Sequence, residues 1–451
     1  VSATDTAELT QALAERSSSL AFEELPQDVV EIARQALLDW FAVTLGGSAE
    51  NAPRTLLEVL AAGRPDDRTD GAASVVGHGT RLSARDAAFV NGVSSHVLDF
   101  DDVNIVLISH MSVAMLAAAL ALAEELDATV RSVLTAYVAG YETASRIAVA
   151  VGPDHYFRGF HSTGTIGTFG AAAACARVLG LDAQRTSVAL GIAASEAAGL
   201  KCNIGTMTKS FHAGKACENG LLAAMLAARG FTANAQAIEA AQGFAAISGG
   251  EYDPDAALAR PRSGWHLRDN LFKHHASCYF THSTIEGLLE LTREHAFARD
   301  DVESVTIHVS DAELGTCVIA EPRTGLEVKF SIAHLAAMTL LERSTSAIGD
   351  EIAFDEDVIA TRSRVALVPD GAPGEPTRVA VTLRDGTVLT AARDVNTPER
   401  DLAAQLERLS EKFRALAEPI LGDGGAGELL AALRGLDGDD GVRALMTLAR
   451  R

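Results

Sequence analysis

Along most of the first 260 or so residues, apolar side chains recur at about three- and four-residue intervals, the period of a helix with one buried face. Val29, Val30, Ala33, Leu37, Trp40, Phe41 and Leu45 follow Pro26 at this spacing, and proline suits a helix's first turn. The pattern predicts further helices at 5–20, 52–62, 110–126, 128–150, 183–199 and 211–229, and an Ala/Gly-rich one opening at Ser162-Thr163-Gly164. Gly46-Gly47 should end the helix that Pro26 starts, 64–71 should be a loop, and 73–77 a short strand. Ser83 with Asp86 reads as a capping box for a helix carrying Ala88, Phe89, Val93 and Val97.

Near residue 265 the period changes. Val305, Ile307 and Val309 alternate with polar residues, as in a half-buried strand. Val379, Val381 and Leu383 run through Asp385-Gly386 to Val388 and Thr390, a hairpin signal. Helices are expected at 331–343 and 355–362, and helical spacing returns from Glu399. The expected architecture is mainly α: a helical domain over 1–268, a smaller α+β domain over 269–398, and C-terminal helices over 399–451 that rejoin the first domain.

Composition narrows the function. With 38 basic and 60 acidic residues the net charge is −22, which disfavours nucleic acid and anionic membranes as partners. The uncharged run from Val113 to Ala123 is about half of the roughly 20 residues a membrane span needs. Cys175, Cys202, Cys217, Cys278 and Cys317 are scattered and never form a Cys-x-x-Cys pair, which points to a reducing compartment and away from structural zinc. The first residues lack a signal-like apolar stretch, so a cytoplasmic location is expected.

The chemistry clusters in four places. Asp99, Asp101 and Asp102 are packed between apolar helical stretches, with His110 just beyond, although buried carboxylates are costly unless paired. His161 stands where a helix starts, a position that offers free N–H groups to an anion together with Ser162 and Thr163. Lys209 lies on a Gly-bounded loop entering a helix, with His212 close behind. Lys273-His274-His275-Ala276-Ser277-Cys278 marks the passage between domains, where ligand sites are common. These four places are expected to share one cavity. The aspartates also resemble the Asp-rich magnesium motif of all-α prenyl-diphosphate enzymes. That motif needs a second acidic cluster on a helix, and Asp253-Pro254-Asp255 and the aspartates at 437–440 have the wrong spacing.

Taken together, the motifs resemble the MmgE/PrpD family. They are Asp99-Phe100-Asp101-Asp102, Gly140-Tyr141-Glu142 with Arg146, Gly159-Phe160-His161-Ser162-Thr163-Gly164, Gly180-Leu181-Asp182, Gly205-Thr206-Met207-Thr208-Lys209 with His212-Ala213-Gly214, Gly230-Phe231-Thr232, Lys273 with Ser277-Cys278, and Lys329-Phe330-Ser331. Each is weak alone, but their order and spacing are specific. The resemblance implies a helical domain built from both chain ends with an α+β lid inserted between them, and a homodimer. It implies proton removal next to a carboxylate on small polycarboxylates, with no metal or organic cofactor. It places Asp99, His110, His161 and Lys209 at active-site positions, and Tyr156 with Lys209 at the acid/base pair of the epimerase branch. Val103, Asn104, Ser162, Thr163, His212, Lys273, His275 and Cys278 are the expected substrate contacts. Three departures bear on the substrate. Val103-Asn104 replaces the family's Thr-His, Met111 replaces a proline, and Cys278 stands where the decarboxylase branch has a histidine. The outcome is then dehydration, decarboxylation or epimerisation. A non-catalytic relative that binds a metabolite is the alternative.

Overall fold

Ten helices lead the chain through its larger unit: α1 (Leu9–Ser19), α2 (Gln27–Ser48), α3 (Asn51–Ala61), α4 (Ala84–Val97), α5 (Met111–Leu126), α6 (Val130–Val151), the one-turn α7 (Asp154–Phe157), α8 (Ser162–Val178), α9 (Ala183–Glu196) and α10 (Met207–Ala228). The computed structural model describes residues 8–61, 71–317, 319–372 and 375–451. The start of the first expected helix, Ala62, and nearly all of the expected 64–71 loop lie outside them. Residues through Phe272 and those from Glu399 form one compact unit, and Lys273–Pro398 form a second.

Helix α8 is buried along almost its whole length and packs on α5, α6, α9 and α10. Its small residues permit this. A Cβ on Gly140 of α6 would come within 2.5 Å of the Gly170 carbonyl of α8, so two backbones touch where any side chain would push them apart. The same physics overturns one expectation. Helix α2 does not stop at Gly46-Gly47 but continues to Ser48. A Cβ on Gly47 would lie 2.0 Å from the Ser94 carbonyl of α4, so this glycine serves a close helix crossing and not a terminus. The expected short strand is β1 (Ala73–Ser74), paired with β2 (Arg81–Leu82), and Ser83 caps α4 by accepting from the Asp86 amide. The C-terminal segment Leu402–Arg434 packs on α2, with a break at Gly422 (φ +71°). Its Lys412 is buried, with Nζ 2.6 Å from Asp39 of α2 and 2.6 Å from the Phe100 carbonyl.

The second unit holds a four-stranded sheet of β3 (Val302–Ser310), β4 (Val365–Gly371), β5 (Thr377–Leu383) and β6 (Val388–Arg393), in the order β4-β3-β5-β6. β3 runs parallel to β4 and antiparallel to β5. Val305, Ile307 and Val309 face its core, and the β5–β6 hairpin turns at Asp385-Gly386 with Gly386 at φ +87°. Helices His282–Glu294 and Ile332–Leu340 pack together, the former against β5 and β6.

Candidate active site

Three helices begin, and one ends, at a single cluster in the larger unit. Helix α4 ends beside Asp99, which adopts φ +53°, a left-handed conformation that aspartate tolerates better than most residues. The loop after it closes on itself: Asn104 and Ser109 pair through their backbones, and Ile108 is held at φ +47°, where a β-branched residue is strained. Val103 exchanges backbone hydrogen bonds with Leu271. The Asn104 amide donates to the Tyr141 hydroxyl (3.1 Å) and its carbonyl oxygen accepts from the Leu107 amide. These two expected substrate contacts thus anchor the loop.

The loop sends its three aspartates to different partners. Asp99 Oδ1 accepts from Lys209 Nζ at 2.9 Å and lies 3.8 Å from His110 Nε2. Asp101 Oδ2 lies 2.8 Å from His96 Nδ1 and 3.0 Å from His110 Nδ1. Asp102 turns inward, accepting from the Ser112 hydroxyl and from Asn270 Nδ2 (2.7 Å). Burial and the nearby charge of Asp39 push its carboxyl up to about 7. The folded chain therefore keeps this proton where the unfolded chain has lost it, between about pH 4 and 7. The stability that follows is complete below that window and is lost as pH rises through it, by an upper bound of about 4 kcal/mol. Asp102→Asn is expected to flatten this dependence: from pH 5 to 8, its melting temperature should fall less than the wild type's in parallel thermal scans.

Lys209 sits in the first turn of α10, which starts at Met207 and so includes a residue expected on a loop. Gly205 at φ +88° makes the turn and the Thr206 hydroxyl caps the helix, so it begins earlier than its apolar period suggests. His161 precedes α8 and His110 precedes α5, and neither side chain caps its helix. The two helix starts are joined by the His110 amide, which donates to Thr163 Oγ1 at 3.2 Å. Ser162 and Thr163 are both buried in the first turn of α8. His161 Nδ1 lies 3.1 Å from His212 Nδ1, and its ring lies nearly parallel to that of His96, 5.6 Å away. Desolvation holds His161 well below the usual imidazole range and His96 down to about 4, so both rings are neutral. Tyr156 is buried in α7, with the Lys201 ammonium 4.0 Å above its ring.

The sequence reading missed His96, and the signal was slight: a single histidine three residues before Asp99 in an otherwise small and apolar helix end. Asp101 was seen only as one of a cluster. Among the described residues, His96, Asp101 and His110 are the group whose ligand atoms, all within 4.8 Å of one another, could hold a metal ion. Asp253 instead caps a short helix by accepting from the Ala256 amide. Glu142 and Arg146 also have structural partners, since Glu142 accepts from the Leu267 amide and Arg146 donates to the carbonyls of Ala257 and Ala259.

Lys273, His275 and Cys278 belong to the second unit. There Lys273 Nζ donates to the Ser277 carbonyl at 3.0 Å, and His275 joins Thr345 (2.7 Å) to Glu286 (3.2 Å). Cys278 is buried, and its amide donates to the Lys329 carbonyl. Among the described residues no helix is long and apolar enough to cross a membrane.

Comparison with known proteins agrees with the motifs. Residues 11–257 match the MmgE/PrpD N-terminal domain and residues 275–436 match the MmgE/PrpD C-terminal domain. The chain is 29% identical to the cis-aconitate decarboxylase of Homo sapiens over 390 residues, covering 82% of this chain and 80% of that protein. It is 25% identical to the cis-aconitate decarboxylase of Aspergillus terreus over 465 residues, covering 96% and 94%. A cis-aconitate decarboxylase-like protein of Aspergillus oryzae is 27% identical over 433 residues, 88% of each chain. With both domains matched over most of its length, the chain belongs to the MmgE/PrpD family.

Proposed function

We propose that this protein is a lyase of small di- or tricarboxylates, acting by proton transfer at a carbon next to a carboxylate, with decarboxylation favoured over dehydration. The observation that carries this reading is the convergence of Lys209, His110, His161 and Asp99 where α5, α8 and α10 begin. Helix starts carry partial positive charge and free N–H groups, so a polyanionic acid is a fitting ligand for them even in an acidic chain. The decarboxylase relatives favour loss of CO₂.

In that reaction the electron pair of the breaking C–C bond passes into an unsaturated system conjugated with a second carboxylate. A proton is then delivered to carbon as CO₂ leaves. Negative charge develops on the second carboxylate, where preorganised donors count most. Lys209 and the neutral His161 fit this donor role. Asp99 holds Lys209, which leaves His110 Nε2, facing that pair, as the atom that moves the proton. The same groups would serve dehydration, in which the α-proton is removed and a β-hydroxyl leaves. The reading takes the reaction to need no cofactor, and includes the homodimer and inserted lid that the family resemblance implies.

The test is incubation in D₂O with a panel of di- and tricarboxylates that includes cis-aconitate, followed by NMR. The expected result is deuterium at one carbon of at least one acid, with CO₂ or water released. No exchange and no product across the panel would favour the alternative of a metabolite-binding relative.

A further inference from the structure

The Asp101 carboxylate stands between two imidazoles. Its Oδ2 is 2.8 Å from His96 Nδ1 and 3.0 Å from His110 Nδ1. Asp101 and His96 are each about 1% exposed, and the two rings meet edge to face at 4.8 Å. We propose that Asp101 is a positioning residue that fixes His96 and His110 in one tautomer, with Nδ1–H toward its carboxylate, so that His110 presents Nε2 to the Asp99–Lys209 pair. This rests on the reading of His110 as the group that moves the proton.

An ionised carboxylate can only accept hydrogen bonds. A ring nitrogen within 3.0 Å of it must therefore carry a hydrogen, whatever the charge of the ring. That assigns Nδ1–H to both histidines, a choice that distances alone would leave open. Burial by itself would favour a neutral Asp101, but the two imidazoles outweigh it and hold the carboxyl well below its ordinary value. The consequence differs for the two rings. His110 is left with Nε2 as its variable site, 3.8 Å from Asp99 Oδ1, to which Lys209 is bound. His96 is left with a buried Nε2 that has no hydrogen-bond partner among the described residues, and its ring forms a flat wall against His161. One carboxylate thus sets the proton-bearing edge of His110 and, through His96, supports the face of the proposed donor His161. Carboxylates behind catalytic histidines do this elsewhere: removing only the charge keeps the geometry and costs about 10⁴ in turnover in the serine-protease triad.

The rival chemistry for the same three side chains is a divalent metal, since their ligand atoms are all within 4.8 Å of one another. A metal would need both Nδ1 atoms unprotonated, so the two readings demand opposite proton positions.

The experiment uses the full-length chain with ¹⁵N-labelled histidine. In the wild type, the ring nitrogens of His96 and His110, identified by His96→Gln and His110→Gln, are expected to show protonated Nδ1. Finding Nε2 as the sole protonated nitrogen in His110 would overturn the proposal without any variant having to fold. Asp101→Asn is then assayed on cis-aconitate, or on whichever acid in the panel exchanges deuterium. The expected result is a fall in kcat of about 10²–10⁴-fold, with KM changed less than about threefold. An unchanged kcat, or a loss confined to KM, would overturn it. His110→Gln in the same assay separates the two levels of the argument. If that variant keeps wild-type turnover, the acid/base reading of His110 fails; if it is inactive while Asp101→Asn is active, only the role of Asp101 fails. Titration with zinc and manganese, with chelation and readdition, completes the test. Stoichiometric binding that restores lost activity would replace positioning by metal ligation.

Discussion

Lys209→Ala is expected to lower turnover by at least about 10²–10³-fold and to destabilise the protein measurably. The rate effect follows from its proposed role, since one preorganised donor to a developing oxyanion contributes about 3–4 kcal/mol. The stability effect follows from its surroundings. Lys209 is buried and its Nζ is 2.9 Å from Asp99, also buried. Taking away one partner of a buried pair costs about 3–5 kcal/mol, because the other charge stays in a poor solvent for it. A plain alanine substitution thus mixes two effects, and the double variant Lys209→Met with Asp99→Asn separates them. Its neutral pair should recover much of the lost melting temperature while turnover stays low. Near-wild-type turnover in Lys209→Ala, measured on the acid that exchanges deuterium, would move the site elsewhere. Recovery of activity together with stability in the double variant would make Lys209 a structural charge.

His161→Ala should lower kcat and kcat/KM together by about 10²–10³-fold, the signature of a contact made only in the transition state. Burial keeps its ring neutral, so it can donate a hydrogen bond without first having to lose a proton. The structural cost should be smaller than for Lys209, since no ion pair is broken and the ring's neighbours, His96 and His212, are neutral too. Circular dichroism should remain helical. A rise in KM with kcat intact would instead assign His161 to ground-state binding, leaving the donor role to Lys209 and the first turn of α8.

Local periodicity by itself determined where most helices of the larger unit run and which faces of β3 and of the β5–β6 hairpin are buried. These features depend on side chains a few residues apart, and sequence order carries that information directly. The candidate chemistry was legible to the same degree: Asp99, His110, His161 and Lys209 stood out as charged or titratable residues next to apolar helix ends. Tertiary structure alone decided the rest. Gly46-Gly47 reads as a helix stop, yet lies inside α2 because α4 crosses within reach of a single Cβ. The strand β4 pairs in parallel with β3 across more than fifty residues of chain, a choice no local pattern encodes. Asp99, Asp101 and Asp102 are nearly indistinguishable in sequence. One binds a lysine, one faces two imidazoles, and one is pushed toward neutrality in the core. A carboxylate's role is set by what lies within about 4 Å of it, and at that distance its neighbours come from α2, α5, α10 and the segment before Phe272. For the same reason His96, unremarkable in its own helix, becomes part of the cluster only when α5 and α8 bring His110 and His161 against it.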